Sequence, residues 1–491
     1  MQVSVYFSDY FGVAPEVLDA YGAFNISLIN DLPVFIDPFL LFNSDKPEYQ
    51  SLHAGIIKYV RFLREISAEG EISPGLLRSW FRFPEVKQTW LGYSKVGNGG
   101  SGLGQVFSTA LNDNLHSVFR DFGEEKITKS SHLEKLCLIK DGVGKDNISD
   151  FATNLIKGFL CEYTQKFAKQ HLHANRIKRV PVTHTKFNYE TRSWQTAHYE
   201  LPFIDGDFVL LTPKDLLTKD EAWINKHDLI GDFDEVSESL PNEVLRSQVN
   251  EYLARQIPDD ANQKDINRAV AATLRKFPEL IDYYIKFKED NGADAVKISD
   301  EKIRETESVF ISQVSSLITK LHSEKNFYAE PNDTFDETLK RVHFLKQVIE
   351  NNDGYRVFYV KGQPVKRESD LQLMFRLTWY AAQDDVNSEV NNGRGPVDYK
   401  ISRGSKDSTL VEFKLASNSK LKQNLENQVA VYEAANQTKQ SIKVIMCFSE
   451  IELVKTVRVL NELKLTGSKA IVVIDAGRDN KLSASNVKTD E

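Results

Sequence analysis

Two short stretches in the last quarter of the chain set a carboxylate beside an ammonium group at alternating positions. In Leu410-Val411-Glu412-Phe413-Lys414-Leu415, a period of two turns Val411, Phe413 and Leu415 one way and Glu412 and Lys414 the other. Just upstream, Val397, Tyr399 and Ile401 share one side, and Asp398 and Lys400 share the opposite one. Joined as a hairpin through residues 403–408, the two strands bring Asp398 close to Glu412. Carboxylates that near repel each other unless a cation lies between them. Hard oxygen ligands with room for water and phosphate suit Mg2+ or Mn2+. A metal there would polarise a scissile phosphate and lower the pKa of an attacking water, with Lys414 placed to orient that water or offset developing charge. The chemistry expected of these residues is phosphodiester hydrolysis.

The elements that would position them read as an α/β section over 353–478. A helix is expected over 368–383, then strands over 386–391, 396–402 and 409–415. A helix from about 420 to 435 follows, then the strand IKVIMCF, a helix over 450–463 and the strand KAIVVIDA. Between residues 391 and 430, Arg394, Lys400, Arg403, Lys406, Lys414, Lys420 and Lys422 outnumber Asp398, Asp407, Glu412 and Glu426. Such a local excess suits a phosphate-binding groove, with Arg394, Lys400, Arg403 and Lys420 as contacts, although a solvated loop face has the same composition. The amides of Gly393–Gly395 would let a phosphate backbone approach closely.

The run GRGPVDYKISRGSKDSTLVEFKLA, with Asp398 followed fourteen residues later by Glu412-Phe413-Lys414, resembles the PD-(D/E)XK nuclease superfamily, whose motif is an Asp on one strand and (D/E)-x-K on the next. The helix NLENQVAVYEAA extends the likeness. Its Gln428 stands where many members carry a glutamine, with Tyr432 four residues on. Glu368, opening the preceding helix, matches the acidic residue that often completes the metal site, and Glu389 competes for that role. The likeness covers residues 366–476. It implies a restriction-endonuclease-like mixed sheet flanked by helices, with Asp398, Glu412, Lys414 and Gln428 as catalytic residues and Asp398, Glu412 and Glu368 as ligands of Mg2+ or Mn2+. It also implies a nucleic-acid substrate, DNA before RNA. Fusion to a long upstream region looks most like a bacterial antiphage-defence or restriction protein, working as a homo-oligomer or with a defence partner; this last step is analogy of architecture. A catalytically silent nuclease fold serving as a binding or assembly module, and an RNase of the same superfamily, are the alternatives.

Upstream, the 491-residue chain offers little chemistry. Residues 1–175 read as mainly helical, with strands before Asp37 and helices over 49–67, 104–121 and 148–170. Residues 176–240 read as a β-rich subdomain, 241–352 as a helical spacer or oligomerisation region, and the polar tail 479–491 as disordered. Gly97, Gly99 and Gly102 have the spacing of a dinucleotide fingerprint, but no βαβ unit surrounds them. The histidines are too scattered for a metal site. Three distant cysteines make neither a disulfide framework nor a zinc pattern, which points to a reducing, cytoplasmic setting. The hydrophobic fraction of 41% and charged fraction of 27% are those of a globular protein, and the net charge of -8 excludes coating of nucleic acid by bulk charge. No secretory signal or membrane span is expected.

Overall fold

The computed structural model describes residues 5–70, 72–92, 107–108, 111–112, 115, 121–139, 144–258, 263–314, 333–351, 354–360, 363–364, 368–379, 385–391, 396–403, 407–426 and 440–478. Tyr49, His53, Ile56, Tyr59, Val60, Leu63 and Ile66 recur every three or four residues and bury one stripe of the helix Pro47–Ala68. The single helix expected over 148–170 is two, Lys145–Leu155 and Lys157–His171, meeting at Ile156. The break seats Gly158 against a hairpin so closely that a Cβ there would lie 2.5 Å from the Thr185 carbonyl oxygen. That hairpin pairs Ile177–Asn188 antiparallel with Ser193–Ile204. A second small sheet joins Val34–Ile36 to Leu217–Lys219. The helix expected over 104–121 falls mostly outside the described residues, and the tail 479–491 does so entirely.

The strands stop earlier than the reading to residue 240 suggests. Lys226–Gly231 and Phe233–Glu238 are helices. Leu229, Phe233, Val236 and Leu240 return at helical rather than alternating spacing, and the Asn225 side chain accepts the Asp228 N–H at 2.8 Å to open the first turn. Those side chains join the helices Glu243–Gln256, Gln263–Lys276, Leu280–Asp290 and Gly292–Thr306 in a core of their own, which also takes in Phe39 and Leu40.

The C-terminal region is a mixed five-stranded sheet flanked by helices. Its elements are α1 (Thr334–Asn351), α2 (Glu368–Leu377), β1 (Asp385–Asn391), β2 (Pro396–Arg403), β3 (Asp407–Leu415), β4 (Ser441–Cys447), α3 (Glu450–Glu462) and β5 (Ile471–Asp475). The spatial order is β5-β4-β3-β2-β1. Short links make β1, β2 and β3 antiparallel; long ones make β3, β4 and β5 parallel. On one side, Val411, Phe413, Val444 and Met446 pack with Val342, Leu345, Val348 and Ile349 of α1. A helix placed in the spacer by sequence is therefore part of this layer; its apolar stripe alone could not say which surface it covers. On the other side, Ala416, Leu421, Leu425, Ile445, Cys447, Val459 and Leu460 form a smaller core.

The largest hydrophobic core joins residues between Val5 and Leu217 to residues between Ile303 and Ala476. Polar bonds cross it as well. The Tyr6 hydroxyl donates to the Phe310 carbonyl, and Lys302 Nζ donates to the Tyr359 carbonyl. Lys219 Nζ donates to the Val357 carbonyl at 2.7 Å and to Asp370 Oδ2 at 3.2 Å, with both charged side chains almost wholly buried. Among the described residues, no helix is long and apolar enough to cross a membrane.

Candidate active site

Strand register fixes the site. β2 and β3 pair Leu410 with Lys400 and Val411 with Tyr399, so the next step along sets Asp398 level with Glu412. Directly opposed residues of antiparallel strands share a face. Lys414 follows on that face by alternation. Tyr399, Ile401, Val411 and Phe413, on the other face, are all buried in the large core, which locks the register: a slip of one residue would drive Glu412 into it.

Asp398 is anchored at both oxygens. Oδ2 accepts the Phe413 backbone N–H at 2.6 Å, and Oδ1 accepts from Gln372 Nε2 at 3.0 Å. Gln372 sits one helical turn after Glu368 on α2, and its own carbonyl accepts from the Tyr399 hydroxyl at 3.1 Å. Glu368 Oε1 accepts the Leu415 N–H at 3.3 Å. The start of α2 is thus tied to β2 and β3 together. Burial pushes the Asp398 carboxyl up to about 6; the Phe413 N–H and the Lys414 charge work against that rise, while Glu368 and Glu412 add to it. Glu368, Asp398, Glu412 and Lys414 therefore share one electrostatic environment.

Glu412 is almost wholly buried, at 4% exposure. On its far side is a residue that the sequence reading passed over. β4 runs parallel to β3 with Lys443 in register with Glu412, and Lys443 is itself 5% exposed. Its ammonium is pulled down to about 8 by burial, against the attraction of Glu412 and with the repulsion of Lys414. The signal for it was present: Lys443 is the lone charge in the strand IKVIMCF, where a central parallel strand should be apolar.

The remaining predicted residues divide. Lys400 is half-buried opposite Leu410, two positions from Asp398. Arg403, a predicted phosphate contact, does not join the site: it pairs with Asp407, five residues along β2 from Asp398, and that odd step turns it to the opposite face, about 17 Å away by strand rise. Lys420 is exposed at the start of the helix after β3. Arg394, Gln428 and the other glycine-turn and helix positions, Gly393, Gly395 and Tyr432, lie outside the described residues. β1 brings Glu389 level with Asp398, between the pairs Ser388–Tyr399 and Val390–Val397.

The donor set formed by Asp398, Glu412 and Glu368 is all carboxylate, which fits a hard divalent ion and no softer one. Burial of Glu412 beside a second carboxylate also calls for compensating positive charge. Among the described residues, no group of three or more His, Cys, Asp or Glu is gathered tightly enough to hold a metal as it stands. Two of the three carboxylates spend an oxygen on a backbone amide instead.

Residues 12–225 match a family described as a domain of unknown function (DUF8370), and residues 334–450 match another described in the same words (DUF8371). The second match starts with α1 and takes in every predicted site residue of the C-terminal sheet. No curated protein and no solved structure matches the chain.

Proposed function

We propose that the chain is a divalent-metal-dependent nuclease that hydrolyses phosphodiester bonds of DNA, with Asp398, Glu412 and Glu368 holding Mg2+ or Mn2+. The observation that carries the reading is the β2–β3 register, whose continuation by one step past Val411–Tyr399 sets Asp398 level with Glu412, with Lys414 two residues on, as in the Asp…Glu-x-Lys motif. When bound, the ion supplies Lewis acidity toward the phosphate and lowers the pKa of an attacking water. The chain's own groups do the rest. Gln372 and the Phe413 N–H fix the direction of the Asp398 carboxylate. Lys414 orients the nucleophilic water and offsets charge gathering on the phosphate. Gln428 is assigned a supporting role on the following helix. Arg394, Lys400 and Lys420 are assigned to the DNA backbone. A restriction-endonuclease-like ancestry and a place in antiphage defence extend the same reading by analogy.

A second reading, a silent nuclease fold used as a binding module, draws on the amide bonds that engage Asp398 and Glu368. Digestion of plasmid DNA, linear DNA and RNA with Mg2+ or Mn2+ separates the two and fixes the substrate. DNA cleavage is expected, with a loss of roughly a hundredfold or more in Asp398→Asn and Lys414→Ala. Cleavage unchanged in both variants, or absent in the parent with either ion, removes the proposal.

A further inference from the structure

We infer that Lys443 belongs to this site as a buried counter-charge, weakening the hold on the divalent ion and strengthening the hold on the phosphodiester. The inference rests on the nuclease reading and adds to it a residue outside the Asp…Glu-x-Lys motif. Three observations carry it. First, β3 and β4 are parallel and pair Glu412 with Lys443, so the two side chains share a face. With the β2–β3 register continued one step past Val411–Tyr399, Asp398 falls in the same row as Glu412 and Lys443. Second, both Glu412 and Lys443 are buried, at 4% and 5% exposure. Third, the neighbouring positions of β4 are apolar and packed. Ile442, Val444 and Met446 fill the large core, and Ile445 and Cys447 fill the small one. A methionine or leucine at 443 would avoid the desolvation that a buried ammonium incurs.

Charge counting shows what the lysine does. Glu368, Asp398 and Glu412 contribute three negative charges, and Lys414 and Lys443 two positive ones. The net of minus one becomes plus one with a divalent ion, and a phosphodiester brings it to zero. Without Lys443, the same site is neutral with its ion and turns negative when the phosphate arrives. Removing Lys443 should therefore move ion affinity and phosphate affinity in opposite directions. A residue that merely filled space would move both the same way, or neither.

The test uses the full chain and three measurements: Mn2+ binding by calorimetry without DNA, the Michaelis constant for cleavage of duplex DNA, and the melting temperature. In Lys443→Met, Mn2+ is expected to bind on the order of tenfold more tightly and the Michaelis constant to rise by a similar factor. Lys443→Arg should keep both within about twofold of the parent. If Lys443→Met fails to fold, Lys443→Gln takes its place in the comparison. Weaker Mn2+ binding in the uncharged variant, or both affinities unchanged, overturns the inference while leaving the nuclease reading in place. Tighter Mn2+ binding and weaker DNA binding by fluorescence anisotropy, in a chain that cleaves nothing, would keep Lys443 in its role and remove the nuclease reading. A parent chain that binds no Mn2+ overturns both.

Discussion

Glu134 has a fully buried carboxyl group, and among the described residues neither of its oxygens has a partner at hydrogen-bond geometry. Burial pushes it up to about 7; the nearby His132 pulls the other way and Asp37 reinforces the rise. His132 meets Glu289 at 2.9 Å, both side chains wholly enclosed, where the N-terminal part of the chain touches the helix Leu280–Asp290. A carboxyl raised in the folded state holds its proton where the unfolded one has lost it. Stability from Glu134 is therefore highest below about pH 4.3 and falls as pH climbs toward 7. Glu134→Gln should stabilise the protein at pH 8 by up to about 3 kcal/mol and change little at pH 4, as read by urea denaturation at the two values. The polar residues of the proposed site differed in how visible they were. Asp398, Glu412 and Lys414 stood out because period-two alternation separates them from Tyr399, Val411 and Phe413. Gln372 did not, since no single sequence tells which helix turn docks on β2; Lys443 stood out only as a lone charge in an apolar strand, with no sign of the register that sets it beside Glu412.

Three of the polar side chains of helix α2 have separate duties. Glu368 bonds the Leu415 amide, Gln372 bonds Asp398, and Asp370 receives the buried Lys219 from the far side of the core. The helix is thereby aimed by the N-terminal half of the chain at the strands of the C-terminal half. Breaking a buried pair by removing one partner costs about 3–5 kcal/mol, because the other charge is left enclosed. Lys219→Met should lower stability by that amount and reduce DNA cleavage without touching a predicted ligand. Joint replacement by Lys219→Met and Asp370→Leu should return most of the stability, as melting curves would show. If the double variant also regains full cleavage, the pair is not what aims α2. The strands of the sheet were legible to within two residues because their apolar runs are bounded by glycine and polar turns. Residues 226–240 fell within the bounds of the β-rich subdomain although Leu229, Phe233, Val236 and Leu240 have helical spacing. The seat of α1 was illegible because its stripe fits a spacer bundle or a sheet equally well.

The largest core draws on residues from Val5 to Leu217 and from Ile303 to Ala476, so the N-terminal part of the chain and the C-terminal sheet are packed as one, with the helices between them on a core of their own. Tyr6 to Phe310, Lys219 to Asp370 and Tyr359 to the Ala476 carbonyl each tie distant stretches of sequence through buried atoms. Unfolding of the full chain should be one cooperative transition, with circular dichroism and tryptophan fluorescence giving the same midpoint. Two separated transitions would show that the shared core is energetically slight. A fragment spanning 353–478 lacks α1 and the N-terminal face, and should be aggregated or unfolded when expressed alone. Sequence composition foresaw a globular chain with several regions, but a core shared between regions is a property of the packed molecule and leaves no mark in local periodicity.

The buried lysine–aspartate pair has a consequence for descent. Lys219 falls within the first family match, 12–225, and Asp370 within the second, 334–450. Each matched region thus carries one half of a lock whose halves are worth little apart. Relatives that exchanged one region by recombination would strand a charge in oil, so the two positions should be inherited as a couple or lost as a couple.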